Sequence, residues 1–231
     1  MRPTLLFVHS PVVGPATWSA TADMLSGKGF RCLIPDLTGV TTSGPPYYSK
    51  LAVAATEAVD DDPLILIGHS AAGPLLPVIA DAVSSQAVAA VFVDAFLPHP
   101  GRSWFDMAPV PLRELLLDIA DAGRLPPWNE WFPANAIDEL VPHANIRRQF
   151  LTEIPRLPLA YFLERAPVTR NWNTLRCAYL RFSAAYDGTA DEAERLGWWV
   201  ARRNWDHLRM LSAPDTVADL TASAVSALRV G

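Results

Sequence analysis

Residues 63–80 read PLILIGHSAAGPLLPVIA and carry no formal charge. An unbroken apolar run at 64–69 precedes Ser70, and a run without polar alternation is typical of a strand buried on both faces. The small residues around Ser70 allow a sharp turn, and a helical pattern follows at 71–84. The stretch therefore predicts a strand, a tight turn that carries Ser70, and a helix.

The same alternation of apolar runs and helical patterns continues along the chain. Strand-like runs lie at residues 4–9, 31–36, 64–69, 89–96, 177–183 and 197–204. Helical patterns lie between or after them at 16–29, 49–62, 71–84 and 214–229. Because buried strands with intervening helices indicate right-handed βαβ units, the predicted fold is α/β. We expect a mostly parallel six-stranded sheet with helices on both faces.

The segment 98–174 breaks this rhythm. It has no strand-like run, is rich in proline and aromatic residues, and shows helical patterns at 110–123, 144–154 and 157–166. A segment this long and apolar is not a plain loop. We predict a helical lid at 98–174, inserted after the fourth strand, on a core made of 1–97 and 175–231.

The composition limits the class of protein. Of the 231 residues, half are hydrophobic and 19% are charged, and the net charge of −5 argues against a general nucleic-acid binder. The uncharged stretch at 63–80 is long enough to imitate a membrane span, but its glycines and internal prolines suit strand, turn and helix better. The apolar run at 5–8 is too short for a signal peptide. The predicted location is the cytoplasm, and no membrane partner is expected.

No cofactor or metal is predicted. The histidines are scattered, there is no Cys-x-x-Cys spacing and no glycine-rich phosphate loop. Cys32 and Cys177 are expected to be buried free thiols. The expected partner is a small-molecule substrate, and the protein could be a monomer or a homodimer.

Ser70 is the first candidate for chemistry, since ligands of open α/β sheets bind at the carboxyl ends of the strands. The serine elbow pattern is Gly-x-Ser-x-Gly, in which small residues permit a strained serine with an exposed hydroxyl. Here Ala72 takes the place of the last glycine, and Gly73 follows one position late. The alternative is an ordinary polar cap, because serine is a favoured helix N-cap.

His207 and two aspartates extend the site. His207 follows the last strand-like run, so it is expected at the same edge of the sheet as Ser70. Asp187 lies four residues after the fifth run, and Asp94 lies near the end of the fourth. We favour Asp187 as the acid that orients His207, with Asp94 as the fallback.

These motifs together resemble the α/β-hydrolase superfamily over almost the whole chain. The matching stretches are LLFVHSPVVGPATW, FRCLIPDLTG, LILIGHSAAG, AAVFVDAFLP, FSAAYD and DHLRMLSAPDTVADL. In size, the chain is similar to the compact esterase and hydroxynitrile-lyase-like members. The resemblance implies that Ser70 is the nucleophile, His207 the general base and Asp187 the orienting acid.

The resemblance also identifies a departure at the predicted oxyanion hole. Family members usually have His-Gly after the first core strand, whereas this chain has His9, Ser10 and Pro11, and proline has no N–H to donate. The donors are then expected to be the amides of Ala71 and Val12, with Ser10 adding a hydroxyl.

The segment 98–174 supplies the predicted substrate pocket. Its candidate residues are Trp104, Trp128, Trp131 and Phe132, whose alternative role is to attach the lid to the core. The leading hypothesis is a serine hydrolase that cleaves a small, largely apolar carboxylic ester, lactone or thioester through an acyl-enzyme. The alternatives are a lyase, cyclase or rearrangement of a small carbonyl compound, or a ligand-binding pseudoenzyme.

Overall fold

The computed structural model describes residues 2–133, 135–170 and 172–229. Six strands form one parallel sheet in the order β2-β1-β3-β4-β5-β6. Their bounds are β1 Thr4–Val8, β2 Cys32–Leu33, β3 Leu64–His69, β4 Ala87–Val93, β5 Arg176–Arg181 and β6 Trp199–Arg202. The predicted six-stranded parallel sheet is confirmed.

Helices connect the strands. They are α1 Ala16–Gly27, α2 Tyr47–Thr56, α3 Leu76–Ala82, α4 Trp104–Met107, α5 Val110–Asp118, α6 Ala136–Leu140, α7 Ala144–Thr152, α8 Leu159–Leu163, α9 Asp187–Arg195, α10 Arg209–Ser212 and α11 Pro214–Ala227. The chain moves from β1 outward to β2 and then back past β1 to β3, so right-handed connections place α1 and α2 on opposite faces. In agreement, α1 packs against α11, and α2 packs against α3.

The core is formed by the central strands. Every residue of β1 and β3 is buried, which explains why their sequences are continuously apolar. The helix predicted at 71–84 is divided into a 3₁₀ turn, Ser70–Leu75, and then α3. The fourth strand ends at Val93 and not at residue 96, because Asp94 has a φ of +42° and turns the chain out of the sheet.

Two carboxylates fasten the segment between β4 and β5 to the rest of the molecule. Glu153 Oε2 accepts a hydrogen bond from the amide of Ala16 (2.7 Å), at the start of α1. Glu164 accepts from the amides of Tyr47 (2.8 Å) and Tyr48 (3.0 Å), at the start of α2. A carboxylate is stabilised at a helix N-terminus by unpaired N–H groups and by the helix dipole. The division into core and lid stays a prediction.

Among the described residues, no helix is both long and apolar enough to cross a membrane. They also contain no group of three or more His, Cys, Asp or Glu side chains placed to hold a metal ion.

Candidate active site

Ser70 stands on a strained turn at the end of β3. Its φ of +56° lies in the left-handed region, which a side chain with a Cβ rarely occupies. The carbonyl of Ser70 accepts a hydrogen bond from the amide of Phe96 (3.1 Å), which ties this turn to the chain that leaves β4. This hydrogen bond from the chain after β4 therefore helps to hold Ser70 in its strained conformation.

Gly73 explains the displaced glycine of the motif. A Cβ on Gly73 would lie 1.9 Å from the carbonyl oxygen of Phe96, whereas Ala72 is fully buried without such a conflict. Close approach of two backbones is one of the few demands that only glycine meets. The turn thus places its required glycine three residues after Ser70, and Ala72 is tolerated.

Asp94 is buried completely and is surrounded by donors. Its Oδ1 accepts from the amides of Phe182 (2.7 Å) and Ser183 (3.0 Å). Its Oδ2 accepts from the hydroxyl of Ser183 (2.6 Å) and lies 2.8 Å from Nδ1 of His207. Because every one of these partners stabilises an ionised carboxylate, the site can keep a buried negative charge beside the imidazole.

Asp187, the favoured acid of the sequence prediction, lies elsewhere. It is the first residue of α9, its side chain is 49% exposed, and its Oδ1 lies 2.7 Å from Nε of Arg181 and 3.7 Å from Nη1 of Arg202. The structure therefore pairs His207 with Asp94, the fallback acid, and not with Asp187. The reason is that the Asp187 side chain is directed to the arginines of β5 and β6.

His207 lies between β6 and α10 and is held partly by His69. Burial lowers the pKa of His69 well below its ordinary value, so its ring is neutral. Nε2 of His69 therefore donates to the carbonyl of His207 (3.0 Å), and the two ring centroids are 4.4 Å apart. His69 thus helps to fix the backbone of His207.

The predicted oxyanion turn is organised around Pro11. The amide of Val13 donates to the carbonyl of Ser10 (3.0 Å), which makes Pro11 the second residue of a four-residue turn, where proline is favoured. Val12 and Ala71 both line the cavity beside Ser70. The Ala71 amide is at the second position of the 3₁₀ turn Ser70–Leu75, where no intrahelical acceptor exists.

Ser10 is placed differently from these two residues. It is fully buried and is not part of the cavity wall, and its hydroxyl has no partner within the described part of the chain. The Ser10 carbonyl accepts a second hydrogen bond from Nδ1 of His9 (2.9 Å), while Nε2 of His9 accepts from the amide of Leu37 (3.0 Å). This pair of bonds requires a neutral His9, in agreement with a pKa that burial lowers.

Ser70 and His207 line a cavity of about 400 Å³. Its wall contains all four aromatic residues predicted for the pocket, Trp104, Trp128, Trp131 and Phe132, together with Phe96 and Tyr186. Among the described residues of the wall there is no Asp, Glu, Lys or Arg. A cavity of this size and lining can enclose a small organic molecule that is uncharged and largely apolar.

Phe96, Ser183 and Tyr186 belong to the site but were not identified from the sequence. Each lies shortly after the observed end of β4 or β5, at the edge of the sheet where ligands are expected. That position was the available signal. The pattern was not enough because aromatic and hydroxyl residues at strand ends are common.

A family model and a curated relative match the sequence. The model of the alpha/beta hydrolase family matches residues 5–220. The carbendazim hydrolyzing esterase of Nocardioides sp. (strain SG-4G) is 30% identical over 112 residues, which cover 45% of this chain and 46% of the esterase. The chain thus matches about half the length of this curated relative.

Solved structures show the same fold at low sequence identity. An extracellular alpha/beta-hydrolase from a Paenibacillus species has a TM-score of 0.77 at 21% identity, covering 96% of this chain and 99% of the other. A pyrethroid hydrolase from Sphingobium faniae JZ-2 has a TM-score of 0.70 at 19% identity, with 97% and 98% covered. Tomato methylketone synthase I has a TM-score of 0.75 at 15% identity, with 99% and 100% covered. The chain belongs to the alpha/beta hydrolase family.

Proposed function

We propose that this protein is a serine hydrolase that cleaves a small, uncharged and largely apolar carboxylic ester, lactone or thioester. The observation that carries the proposal is the contact between Asp94 and Nδ1 of His207 at 2.8 Å, at the edge of a cavity that also contains Ser70 in its strained conformation. The half-length similarity to an esterase supports the same class of reaction.

In the proposed acylation step, Nε2 of His207 takes the proton of the Ser70 hydroxyl while Oγ bonds to the substrate carbonyl carbon. The carbonyl electrons move to its oxygen, which the amides of Ala71 and Val12 stabilise. The imidazolium of His207 then gives its proton to the leaving oxygen or sulfur as that bond breaks. Asp94 keeps His207 in the tautomer whose Nδ1 carries the proton, and it stabilises the imidazolium.

Deacylation repeats these steps with water. His207 takes a proton from the water, whose oxygen attacks the acyl carbon, and the Ser70 oxygen leaves as it regains a proton from His207. Both products are released from the cavity. The apolar wall strengthens every charge interaction in the site by excluding bulk water.

The substrate class follows from the cavity wall. A substrate that carried a carboxylate or an ammonium group would lose its hydration without finding an opposite charge among the described lining residues. Trp104 adds one polar feature, because its indole N–H is buried and has no acceptor within the described chain. We expect short acyl chains and aromatic leaving groups to fit this wall.

The test measures hydrolysis of p-nitrophenyl butyrate and labelling by a serine-directed phosphonate. The labelled adduct is detected by mass spectrometry of the intact protein. Replacing Ser70→Ala is expected to lower turnover at least about 10³-fold and to abolish the adduct. Ser223→Ala, on the outer side of α11, is the matched control because Ser223 is exposed and its hydroxyl donates to the Asp219 carbonyl. Full turnover by Ser70→Ala would rule the mechanism out.

One observation favours a second candidate. Pro11 removes a backbone N–H from the turn that would stabilise an oxyanion, so the site could serve a lyase, cyclase or rearrangement reaction of a small carbonyl compound. In that case His207→Ala abolishes turnover of such a compound, while the phosphonate forms no adduct. A pseudoenzyme is excluded by any turnover that depends on Ser70.

A further inference from the structure

Tyr186 contacts both side chains that move the proton in the proposed reaction. Its ring is parallel to the imidazole of His207, with an interplanar angle of 3° and centroids 5.3 Å apart. Its hydroxyl interacts with the Ser70 side chain, and both residues line the cavity. An edge contact with Phe96, at 5.7 Å between centroids, fixes the ring from the side of the β4 end.

Adjoining elements and a backbone hydrogen bond hold Tyr186 in its position. The residue ends the short 3₁₀ turn Ala184–Tyr186 and is followed directly by α9. The turn itself is closed by the amide of Tyr186, which donates to the carbonyl of Ser183 (3.1 Å). Ser183 is also a partner of Asp94, so the backbone that orients the acid orients Tyr186 too.

The hydroxyl of Tyr186 keeps its proton. Burial raises the pKa of this phenol strongly, and the negative charge of Asp94 acts in the same direction. A phenol of this kind is not a general base at neutral pH. Its chemistry is limited to donating or accepting hydrogen bonds.

We propose that Tyr186 is a further catalytic residue, which donates a hydrogen bond to Oγ of Ser70 and covers the imidazole of His207 with its ring. The inference rests on the proposed function. With one lone pair of Oγ occupied by Tyr186, the Ser70 hydroxyl directs its own proton to Nε2 of His207. As Oγ loses that proton and bonds to the carbonyl carbon, the Tyr186 O–H stabilises the charge that develops on Oγ and remains intact.

The ring makes a separate contribution from the hydroxyl. When His207 takes the proton from Ser70 it becomes a cation, and the face of an aromatic ring attracts a nearby cation. The two contributions can be divided by substitution. Tyr186→Phe removes only the hydroxyl, whereas Tyr186→Leu removes the ring as well.

The deciding measurement is the second-order rate constant for labelling of Ser70 by the phosphonate, because this reaction depends on an activated serine and not on the natural substrate. Tyr186→Phe is expected to lower it about tenfold to a hundredfold, and kcat of p-nitrophenyl butyrate by a similar factor with little change in KM. Tyr186→Leu is expected to lose more. A donor reintroduced as 4-aminophenylalanine at position 186 is expected to restore most of the rate.

The control is Tyr48→Phe, which removes the hydroxyl of another buried tyrosine, in α2 and outside the cavity wall. Its labelling rate is expected to equal that of the unchanged protein. If the unchanged protein is labelled and Tyr186→Phe is labelled equally fast, Tyr186 is only part of the wall. If the unchanged protein is not labelled at all, the proposed function fails first.

The rescue variant also covers the case in which Tyr186→Phe is poorly folded, since 4-aminophenylalanine keeps both the ring and a donor. A rate that stays low with this donor in a folded protein would overturn the role of the hydroxyl.

Discussion

Asp94 and Asp187 lie after neighbouring strands of the same sheet, yet their surroundings are opposite. Asp94 is fully buried and has Phe182, Ser183 and His207 as partners. Asp187 is half exposed and pairs with Arg181 and Arg202 on the outside of the sheet. Both occupy the edge where chemistry is expected, so the edge alone does not identify the acid.

The difference comes from the backbone. Asp94 has a φ of +42°, which turns its side chain back toward the end of β5, where two free amides are available. Asp187 begins a helix, where a carboxylate is stabilised by the helix dipole without any partner in the site. A buried carboxylate needs several donors, and the chain after β5 supplies them to Asp94.

Replacing Asp94→Asn gives the largest expected effect within this comparison. The amide can no longer accept all its hydrogen bonds or stabilise an imidazolium, so kcat/KM for p-nitrophenyl butyrate is expected to fall about 10³–10⁴-fold. The phosphonate labelling rate should fall with it. Activity within tenfold of the unchanged protein would show that Asp94 is not the acid.

The part of this site that the sequence predicted is the part encoded locally. The apolar run before Ser70 and the small residues after it predict both the strand and the turn, and the structure has β3 ending at His69. The choice between Asp94 and Asp187 depends on contacts with residues almost 90 positions away, such as Phe182. The positive φ of Asp94 has no signal in the sequence, because this conformation is usually taken by glycine.

The turn at Ser70 and the turn at Asp94 are also joined through Gly73. Replacing Gly73→Ala places a methyl group against the Phe96 carbonyl, which is backbone and can move only with the turn that follows Asp94. We expect a loss of about 1–3 kcal/mol in the free energy of unfolding and a fall in Tm of several degrees.

The matched control for Gly73→Ala is Gly27→Ala. Gly27 is the last residue of α1 and a Cβ there meets nothing within 4 Å. Since alanine favours the helix, this variant should be neutral or slightly stabilised. If thermal denaturation shows equal Tm values for both variants, the two turns are not in the close contact described.

Ser183 sharpens the comparison, because it donates to the same Asp94 oxygen that faces His207 (2.6 Å). With Ser183→Ala, Asp94 keeps two backbone donors and His207, so kcat/KM is expected to fall only roughly threefold to tenfold. Steady-state kinetics at several substrate concentrations should place the loss in kcat. An unchanged kcat with a raised KM would instead identify Ser183 as a substrate contact only.

Asp187→Asn gives the smallest expected effect. The substitution removes partly exposed ion pairs, which contribute about 0–1 kcal/mol, and leaves the contact between Asp94 and His207 in place. We expect kcat/KM within about twofold of the unchanged protein and a small decrease in Tm.

The matched control is Asp191→Asn, on the same helix, whose carboxylate also pairs with Arg202 (2.7 Å). If Asp187→Asn lost activity a hundredfold or more while Asp191→Asn did not, the acid would be Asp187 after all, and the arginine contacts would have to break during catalysis.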